Sequence, residues 1–153
     1  MDVKDLAGAA AARSGDAFPA PPPPVLSPWA QVVECRAIAA GLWSVSTAGH
    51  GGILISEERQ AALPAWAKGF RTFSGLSTAF EEDLDWAVRC AVWAQEFGVE
   101  DCLAAIRTIQ GRVLYFTERG LDVDAALQRL ATAELPRSHK ARANCRATPG
   151  LER

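Results

Sequence analysis

Histidine is nearly absent from this chain. Among its 153 residues only His50 and His139 carry an imidazole, so a zinc site of the H-x-x-x-H or H-E-x-x-H type has no ligands to draw on. Cysteine is present but not paired by motif: Cys35, Cys90, Cys102 and Cys145 are scattered with no C-x-x-C, which argues for reduced thiols and against a disulfide framework. No apolar run reaches the roughly 18 residues of a membrane helix, and "MDVKDLAGAAAARSGDAFPA" lacks the sustained apolar stretch of a secretory signal. A cytoplasmic protein with no membrane contact is therefore expected. An excess of basic charge is missing too. A formal net charge of −2 and a pI near 5.7 give no field that would attract nucleic acid, so only weak contact through a basic C-terminal tail is expected. There is no G-x-S-x-G elbow, no phosphate loop and no D-x-D-x-D-G calcium loop, and no cofactor is implied.

What is there organises itself into three stretches. Six of the nine prolines lie between Pro19 and Pro28, and "FPAPPPPVLSP" can form neither helix nor ladder, so residues 1–27 read as a disordered Pro/Ala-rich tail. Residues 28–135 read as a single α+β domain, and 136–153, rich in Lys and Arg and poor in apolar residues, as a flexible basic tail. Within the domain, β-branched and aromatic residues punctuated by glycine predict strands at about 30–38, 42–47 and 52–56, with turns at Ala40-Gly41 and Gly49 to Gly51. Ser56 followed by Glu57-Glu58 predicts a capped helix ending near Leu63, before Pro64. Residues 65–79 have no clean period and read as a structured loop or a broken turn of helix. Apolar spacing then predicts helices from about Glu82 to Gly98, over 99–118 with Gly111 as a kink, and from Val123 to Ala133 capped by Asp122. The fold class is α+β, a small antiparallel sheet of two or three strands packed against about three helices, with disordered termini.

Two segments concentrate chemistry. "STAGHGGILIS", residues 46–56, sets His50 beside Gly51 and Gly52, and "FEEDLDWA", residues 80–87, packs four carboxylates between two aromatics. Acids at a helix start are favoured by the helix dipole, which accounts in part for Glu81, Glu82 and Asp83. If that helix crosses the sheet end carrying His50, the imidazole meets a carboxylate. Such a pair serves as a structural hydrogen bond, as part of a binding site, or as an oriented general base, which makes His50 the candidate catalytic residue. No metal site is assigned, although magnesium or manganese would suit oxygen ligands from Glu81, Glu82, Asp83 or Asp85.

The motifs "SPW" at 27–29, "GLWSVSTAGHGGILIS" at 41–56, "LP" at 63–64 and "FEEDLDWA" at 80–87 resemble, in order and spacing, an uncharacterised bacterial family found on plasmids and integrated mobile elements. Its pattern runs S/T-P-W, then S-T-P-S-H-G-G, then Y-E-E-D-x-x-W-A. The resemblance covers about residues 27–97 and marks Thr47, His50, Gly51, Gly52, Glu81, Glu82, Asp83 and Trp86 as motif positions. Ala48-Gly49 replaces the family's Pro-Ser and Phe80 its tyrosine, so any mechanism needing those hydroxyls is not available to this chain. The resemblance implies a mobile-element setting and supplies no activity. The expected function is that of a small accessory protein binding a macromolecular partner, a bacterial protein. The alternative is a metal-dependent hydrolase or nuclease using His50 and the Glu81-Glu82-Asp83 cluster.

Overall fold

The computed structural model describes residues 18–133, so the basic tail, His139, Cys145 and the first 17 residues lie outside the described residues. The described residues form two compact units. A strand-rich unit holds residues 18–63 and Arg71–Trp86, and a helical unit holds Pro64–Phe70 and residues 87–133.

The strand-rich unit contains a two-stranded ribbon, β1 (Leu26–Ser27) with β2 (Ala30–Gln31), and a four-stranded sheet. The sheet comprises β3 (Glu34–Ala39), β4 (Leu42–Ser46), β5 (Gly51–Ile55) and β6 (Ala79–Glu81), antiparallel throughout in the order β3-β4-β5-β6. The sheet thus has one strand more than the two or three expected, and β1 begins inside the stretch assigned to the tail. The ribbon forms because Ser27 closes a tight turn around Pro28. Its Oγ accepts the N–H groups of Trp29 (3.2 Å) and Ala30 (3.3 Å) and donates to the Ala30 carbonyl (2.8 Å), bonds that the proline-rich composition hides. Gly41, at φ +71°, turns β3 into β4, and a Cβ there would lie 2.5 Å from the Ser56 hydroxyl. The hydroxyl of Ser56 in turn accepts the Arg59 N–H at 3.3 Å and caps α1 (Glu57–Ala61), as its sequence predicts. Arg59 is wholly buried. Its Nε donates to the Ala40 carbonyl at 2.6 Å and its guanidinium sits 4.4 Å from the centre of the Phe18 ring, which pins the start of the described chain. β5 is buried at every position, the mark of a central strand covered on both faces, whereas β4 keeps Ser44 and Ser46 partly exposed.

The helical unit contains α2 (Ala65–Lys68), α3 (Trp86–Val92, within this unit from Ala87), α4 (Val99–Gly111), α5 (Val113–Glu118) and α6 over residues 123–133. Counting α1 of the strand-rich unit, the described residues hold six helices where about three are expected. α2 is a short helical turn within the stretch read as a structured loop or a broken turn of helix, held by Lys68 N–H to the Pro64 carbonyl at 2.9 Å. The expected 99–118 helix is broken at Arg112 (φ −140°, ψ 39°), directly after Gly111. Asp122 caps α6 as predicted, its carboxylate accepting the Ala125 N–H at 3.1 Å, and its own N–H donates to the Trp66 carbonyl at 3.3 Å, which ties α2 to α6. The Phe70 and Phe116 rings lie 5.9 Å apart in this core. Cys90 and Cys102 are buried thiols with sulfurs 4.0 Å apart, and Cys35, on β3, is an exposed thiol. Among the described residues no helix is long and apolar enough to cross a membrane.

Two glycines of this unit respond in opposite senses to an added methyl group. Gly120 sits at φ +92° with a Cβ position 2.7 Å from the Gly69 carbonyl oxygen, while Gly111 ends α4 in open space. Gly120→Ala is expected to destabilise the helical unit by about 2 kcal/mol or more. Gly111→Ala is expected to stabilise it by up to about 1 kcal/mol. Urea unfolding followed by far-ultraviolet circular dichroism checks both signs.

Candidate functional site

Main-chain pairing joins the two motif segments. Across the β5–β6 ladder Gly52 stands opposite Glu81 and Ile53 opposite Phe80, and the Glu82 N–H extends the pairing by donating to the Gly51 carbonyl at 3.0 Å. The approach is close enough to exclude side chains. A Cβ on Gly52 would lie 2.2 Å from the Phe80 carbonyl oxygen and 2.6 Å from the Trp29 ring, and one on Gly51 would lie 2.8 Å from the Val45 carbonyl oxygen and 2.9 Å from the Glu82 carboxylate. Trp29 belongs to the S-P-W segment, so three motifs separated in sequence meet at one place. Beneath them Trp43, Val45, Leu54 and Ala79 form a buried cluster, with Trp29 and Val32 packed on it.

The turn carrying His50 is held by Thr47. Thr47 N–H and Oγ1 both donate to the His50 carbonyl, at 2.7 and 2.8 Å, and the same Oγ1 accepts the His50 N–H at 3.1 Å. The imidazole is exposed, and among the described residues none of its atoms makes a hydrogen bond. The expected bond from His50 to Glu81, Glu82 or Asp83 is therefore corrected. Sheet pairing and Thr47 already fix the turn, and the Glu82 carboxylate lies against Gly51.

The acidic cluster is not the first turn of a helix. Glu81 ends β6, residues 82–85 form a turn, and α3 starts at Trp86 with no acid in its first turn. Pairing with Gly52 draws Glu81 into the sheet, and its carboxylate then accepts the N–H groups of Asp83 (2.7 Å) and Leu84 (3.4 Å), capping the turn. Burial pushes the Glu81 carboxyl above its ordinary range. The two N–H groups oppose that rise, and the carboxyl of Asp83 beside it adds to it. Glu82 and Asp83 are exposed, and Trp86 is half-buried. Asp85, which no sequence signal separates from its neighbours, is wholly buried and accepts the Phe73 N–H at 2.6 Å, fixing the loop that precedes β6. Phe80 is also wholly buried, so a tyrosine there would place its hydroxyl in the interior. Among the described residues no group of three His, Cys, Asp or Glu side chains could hold a metal ion.

These contacts rank three substitutions. His50→Ala is expected to change unfolding stability by less than about 0.5 kcal/mol, Thr47→Ala to cost about 1 kcal/mol, and Gly52→Val about 3 kcal/mol or more. Urea midpoints followed by tryptophan fluorescence test the order. Glu81 sets a pH dependence. With its folded pKa raised above the unfolded value, its contribution is fully favourable below the unfolded pKa and is lost as pH rises through the folded one. Relative to Glu81→Gln, the wild-type chain should therefore lose stability as pH rises from the ordinary glutamate range to just above it, a slope that urea midpoints across that range report.

No curated protein and no solved structure matches the chain. A family model does match, over residues 22–114, a span that contains the S-P-W, H-G-G and E-E-D-x-x-W segments gathered at Gly52. The chain belongs to the family described as domain of unknown function DUF7007.

Proposed function

We propose that this is a small cytoplasmic accessory protein of a bacterial mobile element, and that it binds a protein partner through the surface made by His50, Glu82 and Asp83. One observation carries the reading: these three side chains are exposed where the motif segments meet, on a backbone already fixed by Thr47, by the Gly51–Glu82 bond and by Glu81. The buried members of the motifs are accounted for by folding. The exposed ones are not, and a group that costs little to remove yet sits on a rigid platform is suited to recognition. Two carboxylates favour a basic surface on the partner, and an acidic patch of this kind can compete for a surface that binds nucleic-acid phosphates. The mobile-element setting rests on the family resemblance. For the metal-dependent hydrolase, the want of three converging ligands among the described residues leaves no observation in its favour.

The test compares the full chain with a His50→Ala, Glu82→Ala, Asp83→Ala variant as baits in a bacterial lysate. Partners recovered by the wild-type chain should be lost with the variant at an unchanged melting temperature. Recovery of the same proteins by both would overturn the assignment of this surface.

A further inference from the structure

We propose that two copies of the chain pair antiparallel through β3, about a two-fold axis at Cys35, extending two four-stranded sheets into one. This surface is the edge of the sheet opposite β6, so it stands or falls independently of the His50 surface.

Backbone geometry comes first. β3 ends the strand order, and among the described residues no strand pairs with its outer side. The bonds Ser56 N–H to Gly41 carbonyl (2.8 Å) and Thr47 N–H to His50 carbonyl (2.7 Å) bracket the β4–β5 ladder, so Trp43 and Val45 turn their main-chain polar groups toward β5, and Ser44 and Ser46 toward β3. Glu34 and Arg36, opposite Ser46 and Ser44, therefore direct theirs to β4. The N–H and C=O groups of Cys35 and Ala37 face outward, ready for a further strand.

Side-chain chemistry selects the occupant. Centring the pair on Cys35 lets each Cys35 exchange both main-chain bonds with its copy. Glu34 then stands opposite Arg36 of the second copy, and Arg36 opposite Glu34, giving two ion pairs from a four-residue edge. Neither side chain has an ion-pair partner among the described residues. The Val33 N–H is taken by the Ser46 carbonyl at 2.8 Å, so the outward-facing ladder begins at Cys35, and the exposed side chains of Val33, Leu26 and Val25, 70 %, 70 % and 73 % exposed, lie in the stretch of chain just ahead of it. An edge protected only against pairing would gain from charges of one sign, whereas opposite charges flanking a central residue are self-complementary. The short register, ended by the irregularity between Ala37 and Ala39, makes this a small interface of modest affinity.

Sedimentation velocity of the full chain between about 1 µM and about 1 mM reads the association. The wild-type chain should dimerise within that range, and E34R and R36E should each weaken the dimer about tenfold by opposing like charges twice. The double variant E34R/R36E, which exchanges the two charges, should restore it. A short bis-maleimide should link Cys35 to Cys35 in the wild-type and double-variant dimers and much less in the single variants. Circular dichroism confirms that all four chains are folded. A chain that stays monomeric throughout, a dimer indifferent to the charge changes, or one that the exchange fails to restore would overturn the proposal.

Discussion

The Phe80 carbonyl and the Trp29 ring both close on the α-carbon of Gly52, and that approach exists only because no Cβ stands in the way. From it the rest of the strand-rich unit follows. β6, three residues long, is too short to hold its own register, and its place in the sheet depends on pairing with Gly52, Ile53 and Leu54. Once Glu81 is fixed opposite Gly52, its carboxylate becomes half-buried and turns back to cap the residues after it, so the chain can enter α3 at Trp86. The same crowding seats Trp29, which packs on the cluster of Trp43, Val45, Leu54 and Ala79 from the turn of the two-stranded ribbon.

The parts legible in the sequence are those whose determinants are local. Ser56 and Asp122 announce their helices by caps, Gly41 announces its turn, and Gly111 marks a break that the backbone makes at Arg112. The centre of the sheet was also readable, since β4 and β5 lie within a residue of their expected ends. What stayed hidden depends on partners distant in the chain. β6 is strand only because β5 accepts it, and its acids imitate the start of a helix. Asp85, buried, accepts the N–H of Phe73, twelve residues away, and the ribbon at Leu26 is closed by one serine hydroxyl inside a proline-rich run. The segments carrying His50 and the acids do meet, as their sequence leads one to expect, through the pairing of β5 with β6. The link was misassigned to a side-chain bond because spacing reveals proximity of segments and not which atoms carry the contact.

Four carboxylates in five positions would repel one another strongly if all were exposed and equivalent. They are not equivalent. The Glu81 carboxyl accepts two N–H groups of the turn, and the Asp85 carboxyl accepts the Phe73 N–H in the loop ahead of β6. That division removes two acids from the surface and leaves Glu82 and Asp83 facing solvent beside an imidazole that bonds to nothing described. Folding accounts for the first two. Water screens the second two, so their mutual repulsion costs little and their removal costs the fold little. The chemistry of that outer surface is consequently set apart from the stability of the platform beneath it, which is the physical condition under which a surface can be tuned to a partner without unmaking the protein that presents it.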